Sequence, residues 1–551
     1  MLKRNGVKLD FWMICNIVIL AFLGVFLIFP FSSLIFRSLF SSKTDGITLQ
    51  NFVTFFTKKY YYNTLKNSMY CCVATTITTT VIGVPLAYLM TRYNVWGKKI
   101  IYVLIVMSLM SPPFIGAYSW IMMFGRSGFV TGLLSKIGIT VPTIYGKLGI
   151  ILVFTFKLFP YVYLYTAGAM NSIDSSLEEA AENLGASKMR RLMTITLPVV
   201  LPSIAAGIVM VFMTSLADFG TPMLIGEGFT VLPVLIYNEY ISEMGGNANL
   251  ASALSVIVVC CSTGILLIQK LLISRKNYVM TALRPPKEVE LRGVKRFLVS
   301  VPVIIVTAIA IMPQIVVLIT SFVNTNGPRF VEGFGINSYK MVINRLGLNI
   351  RNTYSFAVAA IVLIVLGGML ISYLTVRKRG KIAKILDWLI MFPFVIPGSV
   401  LGISLVVAFN KKPLLLTGTA AIMVISYVVR KLPYTVRSGS AFLHQMDPSV
   451  EEASVNLGVS PMKTFFKITA PLMLPGVLSG AILSWITCVN ELSSSIMLYA
   501  GKTSTISVAI YTEVVRNSYG TAAALSSILT LTTVASLILF MAVTKGKGSV
   551  I

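Results

Sequence analysis

The chain has 551 residues, 56% of them hydrophobic and only 12% charged, with a mean hydropathy of +0.83. Soluble domains carry about 25% charged residues, so a water-soluble enzyme or a string of soluble domains is excluded. The net charge of +27 does not point to nucleic acid, because Lys and Arg sit in short loops beside apolar runs, as they do in membrane proteins, and no basic stripe is interleaved with aromatics.

In chain order, Lys3, Arg4 and Lys8 precede an apolar run from Asp10 to about Phe36. It is too long for a signal-peptide core and no small-residue cleavage site follows, so an uncleaved first span is expected. A helix needs about 20 apolar residues to cross the hydrocarbon core. Such segments recur near 11–38, 65–91, 100–124, 147–170, 194–218 and 249–273, and again near 296–322, 351–376, 384–409, 414–440, 467–490 and 521–544. Between the two sets, the polar stretch 274–294 contains Arg284-Pro285-Pro286-Lys287 and reads as a cytoplasmic linker. The expected fold class is all-α integral membrane, with about twelve transmembrane helices in two six-helix units, 1–273 and 295–551.

Basic residues mark alternate loops: Arg92, Lys98 and Lys99; Lys188, Arg190 and Arg191; the linker; Arg377 to Lys384; Lys463 and Lys467; and Lys545 and Lys547. The segment 219–250 has no Lys or Arg but carries Glu227, Glu239 and Glu243. Both termini are therefore expected on the cytoplasmic side. The six cysteines, Cys15, Cys71, Cys72, Cys260, Cys261 and Cys488, all lie in apolar runs, and His444 is the only histidine. No Cys/His zinc spacing exists, so no metal site is expected.

The two halves repeat. Leu177-Glu178-Glu179-Ala180-Ala181-Glu182-Asn183-Leu184-Gly185-Ala186-Ser187 recurs as Val450-Glu451-Glu452-Ala453-Ser454-Val455-Asn456-Leu457-Gly458-Val459-Ser460. The register extends outward: Pro160-Tyr161 matches Pro433-Tyr434, Asp174 matches Asp447, Pro198 matches Pro471, Pro202 matches Pro475, and Asp218 matches Glu491. At a slightly larger offset Asn67 and Tyr88 match Asn352 and Tyr373. Parallel repeats of this kind place a pathway between them.

Each copy is expected to present a short helix on a rigid turn in a cytoplasmic loop, about 172–194 and 445–467. Asp174 and Asp447 can cap its start, and the acids Glu178, Glu179, Glu451 and Glu452 suit its positive end. Small residues (Ala180, Ala181, Ala453 and Ser454) permit close approach of another surface. Gly185 and Gly458 can end the helix in a left-handed turn. Two such helices suggest a partner of two-fold symmetry.

These loops resemble the "EAA" loop of permease subunits in ATP-binding-cassette importers, and the likeness covers essentially the whole chain as two fused permease units. In that family the short helix docks into a groove on an ATPase subunit, which implies contact roles for 174–187 and 447–460. The resemblance implies two ATPase subunits, an extracytoplasmic substrate-binding protein and the bilayer of the cell membrane as partners, with no nucleic acid. It also implies no catalytic residue and no cofactor on this chain, ATP and Mg being held by the ATPases. Gly501-Lys502-Thr503 imitates the end of a phosphate loop, but Ile496 replaces its first glycine.

Asp218 and Glu491, at the outer ends of the fifth spans, and the proline-bearing breaks Pro112-Pro113-Phe114-Ile115-Gly116 and Pro393-Phe394-Val395-Ile396-Pro397-Gly398 are candidates for lining or gating the path, with Pro113, Gly116, Pro397 and Gly398 at their centres. The competing readings are loop capping for the acids and ordinary kinked packing for the breaks. Lys157, Arg430 and Lys431 flank the fourth spans and are expected to snorkel towards the interface. The segment Ala217-Asp218-Phe219-Gly220-Thr221-Pro222-Met223-Leu224-Ile225-Gly226 is similar to the ferric-iron importer permeases and their relatives, which implies ferric iron as the substrate. A phosphonate, a sugar phosphate or thiamine is the alternative, and a secondary transporter a distant one.

Overall fold

The computed structural model describes residues 11–41, 44–112, 114–126, 128–140, 142–241, 246–273, 288–326, 329–378 and 380–543. Pro113 and most of the expected linker, 274–287, lie outside the described residues, as do the charges at 3, 4, 8, 545 and 547.

The chain is all-α within the membrane, because in hydrocarbon each backbone N–H and C=O must find its partner inside the segment. Among the described residues nine helices are long and apolar enough to cross a bilayer, and Lys381–Val395 with Gly398–Phe409, bent by 109°, makes a tenth as a pair. Two expected spans differ in form. The segment 100–124 divides into Lys98–Leu109 and Ile115–Phe124, because Pro112 cannot continue the helix. The segment 414–440 begins later, as Ala420–Gln445, and carries Arg430, Lys431 and Arg437. Among the described residues nine or ten of the expected spans thus meet the length and apolar criteria directly, and helices occupy these two remaining segments as well.

The structure has two compact units, and they are not the two sequence halves. One comprises 11–40, 344–509 and 532–543; the other comprises 41–343 and 510–531. The first-span helix Phe11–Ser38 packs with second-half helices, the Trp12 ring lying 4.6 Å from that of Tyr373 and 5.3 Å from that of Phe465. The counterpart helix Gly293–Phe322 packs with first-half helices, where Ser119 donates to the Pro313 carbonyl at 2.8 Å. Each unit therefore takes its first span from the other copy.

Within each unit the same three helices form the centre. In one, Val162 on Lys147–Asn171 faces Gly83 on Lys59–Arg92 and Gly207 on Leu197–Ala217; a Cβ at those glycines would lie 2.9 Å from the Val162 Cβ and 3.1 Å from its Cα. In the other, Thr435 takes the place of Val162, and a Cβ at Gly368 or Gly480 would lie 2.8 Å from its Cγ2 or 2.7 Å from its Cα. Helices cannot gain from the hydrophobic effect in lipid, so backbone approach at small residues supplies the packing. Gly480→Val is expected to cost about 1–3 kcal/mol by overpacking, because the obstructing atom belongs to the backbone. Thermal unfolding of the detergent-solubilised chain checks this, and an unchanged Tm would contradict it.

Candidate functional site: paired loop helices and the span breaks

The loop helices form as their residues dictate. Ser175–Asn183 starts at Asp174, whose Oδ1 accepts the Ser176 N–H at 3.0 Å. Ser449–Asn456 follows Asp447, which accepts the Ser449 N–H at 2.9 Å. That backbone bond, with one from the Ser449 hydroxyl, holds the Asp447 carboxyl below its ordinary range. The helices end alike. Gly185 has φ +79° and Gly458 has φ +83°. The Gly185 N–H reaches Glu182 O at 2.8 Å and the Ala186 N–H reaches Ala181 O at 3.0 Å; Gly458 and Val459 repeat the pair on Val455 O and Ser454 O at 2.9 and 3.2 Å. This is the Schellman pattern, which needs a residue at ease in the left-handed region. A one-turn helix and then a π turn, Leu192–Thr196 or Phe465–Thr469, lead back into the membrane in both copies.

Half-buried ion pairs tie each loop helix to the end of the second span. Glu178 pairs with Arg92 and accepts from Thr196 Oγ1 at 2.8 Å. Glu451 accepts from Arg377 Nε at 3.0 Å, and the same guanidinium donates to the Met446 carbonyl at 2.8 Å. Ser454, in the position of Ala181, is buried and shares a 2.9 Å hydrogen bond with Thr464. Glu179, Ala180, Glu452 and Ala453 remain exposed. A cavity of about 590 Å³ lies beside the second helix, lined by Tyr373, Arg377, Glu451, Glu452, Val455 and Asn456 among others.

The residues that sequence reasoning did not single out are Leu184 and Leu457, one turn after Ala180 and Ala453. At 88% and 85% they are the most exposed large apolar side chains among the described residues. They sit between charged groups in loops, so lipid does not cover them. Both occupy the same place in the two copies, directly before the left-handed glycine. The signal was present as a leucine before each glycine, but exposure cannot be read from a sequence.

The second set of candidates surrounds the span breaks. In one unit Asp218 accepts from Lys157 Nζ at 2.6 Å and from the Thr221 N–H at 2.9 Å. In the other Glu491 pairs with Arg430, lies 2.7 Å from Lys431 Nζ, and accepts the Ser494 N–H at 3.1 Å. Lys157, Arg430 and Lys431 therefore do not snorkel outward. They turn inward because each acid already sits at a backbone turn within reach, and an unpaired carboxylate there would be costly. For the same reason neither acid stands as a free cation ligand. At the breaks, Phe114 takes φ +68°, and Gly116 lines a cavity of about 20 Å³ with Ser108, Ser111, Pro112, Lys157 and Gln314. Gly398 follows Pro397 at the 109° bend, where a Cβ would collide with the Arg430 guanidinium. Among the described residues no three His, Cys, Asp or Glu side chains gather as a metal site.

The family described as binding-protein-dependent transport system inner membrane component matches twice, at 80–278 and 364–546. The chain is 30% identical to the ferric transport system permease protein FbpB of Actinobacillus pleuropneumoniae over an alignment of 559 residues, covering 97% of this chain and 78% of that one. It is also 30% identical to the putative ferric transport system permease protein FbpB 1 of Haemophilus influenzae, covering 89% and 78%. The molybdate/tungstate transport system permease protein WtpB of Thermococcus kodakarensis is 28% identical and aligns with 40% of this chain and 81% of its own length. Among solved structures, a bacterial transporter that imports the acidic polysaccharide alginate matches with a TM-score of 0.41 at 19% identity, covering 48% of this chain and 96% of that one.

Proposed function

The chain belongs to the family of binding-protein-dependent transport system inner membrane components, and from that premise we propose that it carries ferric iron across the cytoplasmic membrane, driven by two separate ATPase subunits. The iron assignment rests on one observation: relatives whose names specify ferric transport align with 97% and 89% of the chain, both copies included. The ATPase assignment rests on the paired loop helices, each preceded by an aspartate that accepts a backbone N–H, ended by a left-handed glycine and carrying one exposed leucine. The basic loops support a cytoplasmic side for these helices and for both termini.

The mechanism follows from the anchoring. ATP draws the two ATPases together, and each carries a loop helix with it. The Glu178–Arg92 and Glu451–Arg377 pairs make each helix one body with the second span, so displacement at the loop becomes tilt within the membrane. The packing of one copy against the other is the two-state element, and a loaded binding protein on the far side supplies the substrate. ATP and Mg act on the ATPases, and this chain performs no covalent chemistry.

Reconstitution with the cognate ATPase and binding protein tests the reading. Uptake of ferric iron into proteoliposomes is expected to require ATP and to exceed uptake of molybdate, a phosphonate, a sugar phosphate and thiamine by about tenfold or more, the margin that about 1.4 kcal/mol of discrimination supplies. ATP-dependent uptake of one of the others, with iron excluded, would replace the substrate. Uptake without ATP, driven by an ion gradient, would restore the secondary transporter.

A further inference from the structure

We infer that the cavity at the third-span break of the first copy is a binding site for one water molecule, held by Ser111, Gln314 and Lys157; this goes beyond the permease reading and does not depend on it. The sequence creates the need. In a helix each carbonyl accepts from the N–H four residues on, and Pro112, Pro113 and Pro313 have no N–H to give. The carbonyls of Ser108, Leu109 and Ile309 therefore lose their helical donors. Ser108, Pro112 and Pro313 line the same cavity, within one compact unit. Freed backbone groups at membrane depth persist only where protein or water answers them.

The walls supply a matched set of groups. Gln314 is 7% exposed, and its Oε1 has no hydrogen-bond partner among the described residues; neither has the buried Ser111 Oγ. Both residues line the cavity, and so does Lys157. The Lys157 ammonium gives one N–H to Asp218 at 2.6 Å and carries two more. An acceptor, a hydroxyl and a donor thus border one space of about 20 Å³, which is room for a single water. The same groups select the ligand. A cation would meet the Lys157 charge, an anion would meet the Gln314 oxygen, and an apolar group would answer none of the three. Water both donates and accepts, and a buried water needs two to four such partners.

The second copy shows what the water replaces. Lys157 corresponds to Arg430 at the same offset that relates Asp218 to Glu491. At the second break the Arg430 guanidinium pairs with Glu491 and fills the space beside Gly398, where a Cβ would collide with it. A guanidinium spreads five N–H donors over a broad plane, whereas an ammonium holds three at a point. At the first break a Cβ on Gly116 would lie 3.4 Å from Val153 Cγ1, an ordinary contact. Lysine with a water thus does in the first copy what arginine does alone in the second.

Radiolysis of the full chain in mild detergent tests the site, because a bound water converted to hydroxyl radical oxidises the side chains beside it. Trp120 lines the cavity and is 6% exposed, whereas Tyr118, on the same helix, is fully buried outside it. Both ring types react readily with the radical. Mass spectrometry is expected to find Trp120 oxidised in wild type and Tyr118 spared. Ser111→Ala combined with Gln314→Met removes two of the water's partners and is expected to slow oxidation of Trp120 by about tenfold, the loss of occupancy that follows one or two net hydrogen bonds. Should that variant not fold, Gly116→Ala decides, since its methyl takes the space of the water; the same loss is expected. Trp120 oxidised no faster than Tyr118 in wild type, or as fast in the variant as in wild type, would overturn the site. Uptake of iron plays no part in the readout, so failure of the permease reading leaves this result untouched.

Discussion

Leu184→Asp combined with Leu457→Asp is expected to abolish capture of the ATPase subunits while leaving the membrane chain folded. Each leucine follows the exposed alanine by one turn and projects from a helix whose other face is tied down through Glu178 or Glu451. Burying a leucine in a partner's groove contributes about 1.5–3 kcal/mol, and an aspartate in its place adds the cost of a desolvated charge. Each site alone should then lose on the order of a hundredfold in affinity, since 1.4 kcal/mol is about tenfold. Stability should hardly move, because substitutions at side chains 88% and 85% exposed lie within about 0.5 kcal/mol of neutral.

Co-purification in mild detergent gives the answer. Wild type should retain two ATPase subunits, each single variant should retain less, and the double variant none, all at one Tm. Equal retention by the double variant would remove the loop helices from the coupling role. The single variants also test equivalence. The second helix has an extra internal bond, Ser454 to Thr464, and the large cavity beside it. The two loop helices are therefore chemically distinct, and unequal losses are expected.

Much of this was legible in the residues. The repeat placed both loops, Asp174 and Asp447 marked the helix starts, and Gly185 and Gly458 marked the ends, because capping and left-handed turns depend on one or two neighbouring residue types. Pro112 and Pro397 marked the breaks for the same local reason. What stayed hidden depends on distance along the chain. Arg92 reads as an orienting loop charge until its partner, 86 residues on, is seen to be Glu178. Lys157, Arg430 and Lys431 read as snorkelling groups because hydropathy reports depth and not the face a side chain takes. The exchange of first spans between units leaves no mark at all, since an apolar helix packs equally well in composition against either copy.

The acid at the end of each fifth span leads to the second large effect, and here the two copies should behave unequally. Glu491 is nearly fully buried, its side chain 4% exposed, and it faces two cations, Arg430 at 18% and Lys431 at 9%. Asp218 faces one, Lys157, at 20%. Glu491→Gln keeps the shape and can still accept the Ser494 N–H, but it leaves two cations with no anion. Breaking a buried pair in this way costs about 3–5 kcal/mol. Arg430 cannot escape that cost by losing its proton. Gly398 offers no relief either, for the guanidinium already occupies the space its side chain would fill. Asp218→Asn strands a single, wetter lysine and should cost clearly less. Thermal unfolding of the two variants in the same detergent is therefore expected to rank Glu491→Gln well below Asp218→Asn and wild type. Glu491→Gln combined with Arg430→Gln should recover part of the loss, because the uncompensated arginine and not the missing carboxylate is the source. Recovery by that second substitution separates charge from packing; equal Tm values for Glu491→Gln and wild type would show that the cluster is hydrated and that Glu491 is free to act on the path.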